Sequence, residues 1–236
     1  MSKLIKSNLF SLPIYQIKID PNLYDKEKIL SDIEYNKSLQ NSRNATHQKI
    51  GRYNSDIHHS YNDLDNEDFR IINYEKLLVV YQEIFKFFFD KVLFTKKQFN
   101  WDFEIVNYSA ITEGQYFPIH NHIESAFATI HYLNFKDDHA LTRFNNPATF
   151  AEYMRNIRPE LYNIVGDGID NSYMHEFFDV KAEEDDILIF PAVLQHQIPP
   201  QGQTKESRIT ISSNLMIGAV AGQESPGEWC YIPNLR

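Results

Sequence analysis

Apolar and polar positions change their period once along the chain, from helical spacing in the first hundred residues to alternation afterwards. Before the helical part, Leu9–Ile19 (LFSLPIYQIKI) alternates in its second half through Ile14, Gln16, Ile17 and Ile19 and is bounded by Pro13 and Pro21, which predicts a strand. Asp20-Pro21-Asn22 carries helix-start signals, and Leu23, Leu30 and Ile33, with Ile29 flanking, predict a helix to about residue 35. Residues 37–63 are polar and aperiodic, and a loop of that length is expected to be functional or mobile; it holds His47, Arg52, His58 and His59. From Asp68 to Leu93, Ile71, Ile72, Leu77, Leu78, Tyr81, Ile84, Phe85, Phe88 and Val92 recur every three or four positions, predicting the most regular helix. The run Phe87–Phe89 makes its end apolar all round, which points to burial against a sheet or to a partner chain, with a homodimer the form to test.

From Gln98 onward the pattern is that of strands: Asn100–Tyr108, Tyr116–His122, Ala126–Phe135, Glu176–Val180, Ile187–Phe190 and Arg208–Met216. Between Lys136 and Met174 lies a polar, turn-rich insert with short helical potential at Thr149–Asn156. Helices first and then many strands predict an α+β, mainly β, fold built on an antiparallel sandwich or barrel. We read one domain over residues 1–236, with helical support at 20–95, a β core at 98–218 and the insert at 136–175.

Composition narrows the function. With 236 residues, 42% hydrophobic and 14% aromatic, the chain can bury a substantial core. A net charge of −9 disfavours a surface built to hold nucleic acid, a nucleobase demethylase included, while allowing a local basic pocket for a small anion. The single Cys230 excludes an intrachain disulfide framework and any multi-cysteine zinc site. No apolar run reaches the roughly 20 residues a membrane span needs, and no signal-peptide pattern opens the chain, so a soluble cytoplasmic protein is expected.

The candidate chemistry lies in two distant stretches. In Gln115–Phe135 (QYFPIHNHIESAFATIHYLNF), an extended chain would place His120, His122 and Glu124 on one face. In Asp186–Leu215 stand His196 and, twelve residues later, Arg208 at the head of RITISSNL. A non-heme Fe(II) centre needs three facial protein ligands and leaves positions open. His122, Glu124 and His196 would supply two histidines and a carboxylate; His120, His122 and His196 would supply a cupin-like set of three histidines. The Arg208 guanidinium suits bidentate capture of a carboxylate, with Thr210 on the same side and Tyr132 as a further contact. His131 should face the other way and serve the core.

Taken with the opening LFSLPIYQIKI, the H-x-H before a strand ending Tyr132-Leu133-Asn134, the segment DDILIFPAVLQHQIPP and the strand from Arg208 to Ser212, the chain resembles the 2-oxoglutarate- and Fe(II)-dependent oxygenases of the prolyl-hydroxylase-like superfamily, specifically a group found in marine bacteria and their phages. The resemblance covers nearly the whole chain. It implies a double-stranded β-helix (jelly-roll) core with N-terminal supporting helices, iron on His120, His122 and His196, and 2-oxoglutarate gripped by Arg208 with Tyr132. It further implies hydroxylation of a small-molecule or peptide substrate with release of succinate and CO₂, in a protein encoded by a phage or its bacterial host. Ile123 and Glu124 stand where the group has Pro and a small residue, so the resemblance favours His120 and says nothing for Glu124. The 136–175 insert would shape a pocket or act as a lid, and the 37–63 loop would meet the substrate. Two other readings compete: a cupin-type metalloprotein without 2-oxoglutarate, and a non-catalytic jelly-roll module for binding or for a virion. Dependence on Arg208 separates the first from the oxygenase reading.

Overall fold

The computed structural model describes residues 12–42, 57–60, 68–92, 99–147, 156–160 and 175–219. Ten strands form two antiparallel sheets. They are β1 (Tyr15–Lys18), β2 (His58–His59), β3 (Phe99–Ile111), β4 (Phe117–His120), β5 (Phe127–Asn134), β6 (Arg143–Asn145), β7 (Phe177–Asp179), β8 (Asp186–Pro191), β9 (His196–Ile198) and β10 (Arg208–Ala219). The larger sheet runs β1-β8-β5-β10-β3-β2 and the smaller β4-β9-β6-β7. Two helices, α1 (Lys26–Ser42) and α2 (Glu75–Phe87), cover the outer face of the larger sheet.

Alternation assigns the residues to two cores. In β8, Ile187 and Ile189 join the cluster under the helices, while Leu188 and Phe190 join the cluster between the sheets. Both faces of this strand are therefore buried, which is why DILIF reads as an unbroken apolar run. β5 divides likewise, with Ala128, Ile130 and Tyr132 between the sheets and Leu133 under the helices. In β10, Ile209, Ile211 and Leu215 face the helices. The alternate positions Arg208, Thr210, Ser212 and Asn214 consequently face the interior. An extra residue on β3 opposite Ser212/Ser213 makes a bulge there and leaves the alternation of β10 intact.

Several element boundaries differ from the sequence expectation. A 3₁₀ turn at Pro21–Leu23, capped by the Asp20 side chain accepting from Asn22 N at 3.0 Å, precedes α1. α1 then runs to Ser42, past the expected end at residue 35, because polar residues hold its second half. Asn36 donates to Arg70 O at 2.9 Å and accepts from Arg70 N at 2.8 Å. That contact pins residue 70 in extended chain, and α2 starts only at Glu75, whose N–H donates to Asn73 Oδ1 at 2.9 Å. Ile71, placed in the helix by its spacing, is 95% exposed ahead of it. The chain widens into a π turn at Phe88–Val92, which buries Phe88 and Phe89 and leaves Phe87 55% exposed. The apolar patch expected at a dimer interface thus shrinks to one ring. In the expected 136–175 insert, Arg143–Asn145 is a strand of the smaller sheet, pairing with β7 and β9. In the expected 37–63 loop, residues 37–42 are helix and His58–His59 a short strand on β3. His47, Arg52, most of the insert and all of its expected short helix but Asn156 lie outside the described residues. Among the described residues no helix is long and apolar enough to cross a membrane.

Candidate metal and anion site

β4 and β9 set two of the histidines. Their register pairs His120 with His196, and directly opposed residues project to the same side of a sheet. The two rings lie 4.2 Å apart between centroids. β4 ends at His120, so His122 arrives by a different route. Its N–H donates to Ala192 O at 2.8 Å, and its carbonyl accepts from Ser125 N at 3.0 Å, closing a turn over residues 122–125. That turn brings the His122 ring to 5.3 Å from His120 and 5.4 Å from His196, the latter nearly parallel at 7°. A ligand nitrogen from each of the three lies within 4.8 Å of the others.

Glu124 does not join them. The strand expectation put it on the face of His120 and His122, but the turn interrupts the alternation and leaves Glu124 exposed, outside the group of ligand atoms. His131 lies where expected, fully buried on the outer face of β5, with its Nδ1 2.9 Å from Tyr81 Oη.

Hydrogen bonds fix two of the three imidazoles. His120 Nδ1 donates to Pro118 O at 2.9 Å, and His196 Nδ1 donates to Leu194 O at 3.1 Å. A carbonyl can only accept, so each Nδ1 carries the proton and each Nε2 presents a lone pair. The surroundings keep these rings neutral. Burial pushes His120 down to about 4 and His196 well below the ordinary imidazole value, with neighbouring imidazoles adding to both. Burial also lowers His122, partly offset by the Asn214 carboxamide beside it. Phe117, Phe144 and Phe190 stack around the group, with ring centroids 4.7 Å from His120 and 5.7 and 4.8 Å from His196. Three neutral nitrogen donors in a partly dry pocket suit a divalent first-row metal, Fe(II) among them.

Arg208 opens β10 with its side chain fully buried between the sheets. Nε donates to Ala140 O at 3.1 Å and Nη2 to Thr142 Oγ1 at 3.0 Å, while Nη1 has only a 3.5 Å contact to Thr210 Oγ1. Tyr132 Oη donates to the same Thr142 oxygen at 2.7 Å, and its ring centre lies 5.2 Å from Arg208 Cζ. Thr210 stands opposite Tyr132 on one side and Ser109 on the other, with the Ser109 and Thr210 hydroxyls 3.0 Å apart. Among the described residues no carboxylate pairs with Arg208, and burial lowers the proton affinity of its guanidinium. An interior cation without a counter-charge is expensive, and a bidentate anion is the partner its geometry suits. Arg208, Tyr132 and Thr210, singled out in the sequence, thus lie together, buried between the sheets.

Two members of the site escaped the sequence reading. Thr142 lies in the stretch taken as insert, although Leu141, Arg143 and Phe144 around it mix apolar and polar residues as a short strand does. Asn214 lies within RITISSNL, where its parity with Arg208 and Thr210 was the available signal.

Comparison with known proteins follows the geometry. Residues 107–214 match the model of a family described as "Putative 2OG-Fe(II) oxygenase". That span contains every site residue named above. A prolyl hydroxylase from Trichoplax adhaerens, solved with a peptide fragment of the hypoxia inducible factor oxygen degradation domain, superposes with a TM-score of 0.50 at 9% identity, over 86% of this chain and 83% of that one. The viral collagen prolyl hydroxylase of Paramecium Bursaria Chlorella virus-1, solved with 2OG, aligns over 88% of this chain and 96% of its own at 13% identity and a TM-score of 0.44. A 2OG-Fe(II) oxygenase family oxidoreductase from Burkholderia pseudomallei aligns at 5% identity and a TM-score of 0.36 over 51% of this chain, which spans about half (47%) of that protein. No curated protein sequence matches the chain. The Trichoplax superposition establishes the jelly-roll fold.

Proposed function

We infer that this protein, whose residues 107–214 match the 2OG-Fe(II) oxygenase family model, is a 2-oxoglutarate- and Fe(II)-dependent oxygenase. His120, His122 and His196 would hold the iron. The convergence of their ligand nitrogens within 4.8 Å is the observation that carries this assignment. The Nδ1–H bonds to Pro118 O and Leu194 O support it, because they turn a bare Nε2 outward on two of the rings before any metal arrives.

Arg208 would take the far carboxylate of 2-oxoglutarate, with Thr210 and Tyr132 beside it. The support here is the absence, among the described residues, of a carboxylate paired with a fully buried guanidinium, together with the long 3.5 Å contact of Nη1. Thr142 holds both Nη2 and the Tyr132 hydroxyl, so it fixes the direction in which the guanidinium points. Iron with 2-oxoglutarate would supply the oxidation with O₂ as the oxidant, one oxygen atom going into succinate as the cosubstrate loses CO₂ and the other into a C–H bond of the substrate as a hydroxyl. The chain's own part is to orient and to exclude water. Phe117, Phe144 and Phe190 keep the histidines in a low-dielectric wall, and His196 is nearly removed from solvent. We take the substrate class as peptides or small molecules, as the sequence suggested; a solved peptide complex of a protein with this fold is consistent with it.

An anaerobic sample given Fe(II) and then 2-oxoglutarate tests the reading. A visible metal-to-ligand charge-transfer band should grow with 2-oxoglutarate and saturate at one equivalent. Iron-loaded protein that develops no band with excess 2-oxoglutarate would overturn it.

A further inference from the structure

Each metal-binding imidazole needs an acceptor for its second nitrogen, which sets the tautomer and the ring angle. His120 and His196 have backbone carbonyls for this purpose. Among the described residues no comparable carbonyl bond accompanies His122, whose backbone is tied down through N–H and C=O instead. The polar group set against its ring is Asn214. This residue sits on β10 opposite Ala128 of β5 and Glu104 of β3, on the interior face shared with Arg208 and Thr210. Its Oδ1 is buried without a well-formed hydrogen bond. A buried amide oxygen left in that state costs about 1–3 kcal/mol, so its persistence calls for a partner that the site completes.

We propose that Asn214 is a positioning residue for the metal centre: its Oδ1 accepts the N–H of His122 when the other ring nitrogen takes the metal. Asn214 would thereby do for the third histidine what Pro118 O and Leu194 O do for the other two. The influence of the carboxamide on His122, which partly offsets the effect of burial, agrees with this contact. One strand would then serve both halves of the site, with Arg208 at the anion end and Asn214 at the metal end. The inference rests on the three-histidine reading above.

Co(II) serves as the probe, with affinity followed by its visible absorption and the exchangeable imidazole N–H signals counted by paramagnetic proton NMR. Wild type should show three such signals. Asn214→Leu should bind Co(II) roughly 10- to 100-fold more weakly and lose one signal to solvent exchange, with the metal-free melting temperature near wild type. Asn214→Asp, which keeps an acceptor, should stay within about threefold of wild type, where a merely structural role would not predict rescue. Unchanged affinity with three signals in Asn214→Leu would overturn the proposal. Should that variant not fold, a tenfold or greater loss in Asn214→Asp overturns it, and retention supports it. His122→Ala keeps the two readings apart: wild-type Co(II) affinity there would sink the metal site itself, whereas its loss beside an unaffected Asn214→Leu would sink only the role of Asn214.

Discussion

Replacing Arg208 by Met isolates the anion half of the site. The substitution keeps a long apolar side chain between the sheets and removes the cation, so the pocket keeps its wall and loses its charge. In the free protein two effects oppose one another. Ala140 O loses its Arg208 donor, at about 1–3 kcal/mol where it stays dry, while Thr142 Oγ1 keeps the Tyr132 hydroxyl. Against that, a buried cation with no carboxylate partner among the described residues disappears, which relieves the cost of keeping its charge out of water. Melting temperature alone is therefore a poor readout. The cosubstrate sees only loss, because the partner of its carboxylate is gone: about 2–5 kcal/mol, or a roughly 30- to 5,000-fold rise in Kd. The assay is anaerobic titration of 2-oxoglutarate into metal-loaded wild type and Arg208→Met, with metal affinity measured in parallel. Wild type at about 100 times its Kd should also gain about 2.7 kcal/mol of stability from the ligand, and the variant should gain less than about 0.9 kcal/mol at the same concentration. An unchanged Kd, or metal affinity falling in step with 2-oxoglutarate affinity, would refute the reasoning.

Two further outcomes follow from the core. Burial lowers His58 and His131 to about 3, whereas both would titrate near 6.5 in the unfolded chain. The folded state thus binds fewer protons, so their contribution is complete above pH 6.5 and is lost as pH falls towards 3. Urea unfolding of the metal-free protein should show stability dropping by at least about 2.7 kcal/mol per pH unit well below 6.5, with His120, His122 and His196 adding to it, and His131→Phe should lower the slope by about 1.4 kcal/mol per pH unit; flat stability from pH 6.5 to 5 would contradict the burial argument. Phe88→Ala should cost about 3–5 kcal/mol in the same measurement, because the ring packs on Tyr15, Phe89 and Phe127 at 5.1–5.4 Å. Phe87→Ala should stay within about 0.5 kcal/mol, and equal costs for the two would mean that the helix end is turned differently.

The sequence carried most of the strand content, because β8 and β5 are buried on both faces and read as apolar runs that few other structures explain. It singled out His120, His196 and Arg208 through local pattern and spacing. It misjudged places where polar side chains, with no periodicity of their own, decide the structure. Asn36 clamping residue 70 both lengthens α1 and delays α2, and neither effect leaves an apolar trace. The largest difference concerns His122 and Glu124. Alternation along a strand treated them alike, but β4 stops at His120, and the turn held by Ala192 O carries His122 inward and Glu124 out. Long-range contacts of that kind are invisible to a period of two. Thr142 was missed for a related reason: three residues of strand inside a polar stretch are too short to show alternation, although their pairing with β9 and β7 fixes them.

The account stands on a metal centre of three neutral histidines without a carboxylate. Equilibrium Mn(II) titrations of His120→Ala, His122→Ala, His196→Ala and Glu124→Ala test it most directly. Each histidine variant should lose more affinity than the roughly 100-fold that an outer-shell partner can be worth, while Glu124→Ala stays at the wild-type value. Retained binding in His120→Ala together with a steep loss in Glu124→Ala would contradict the account.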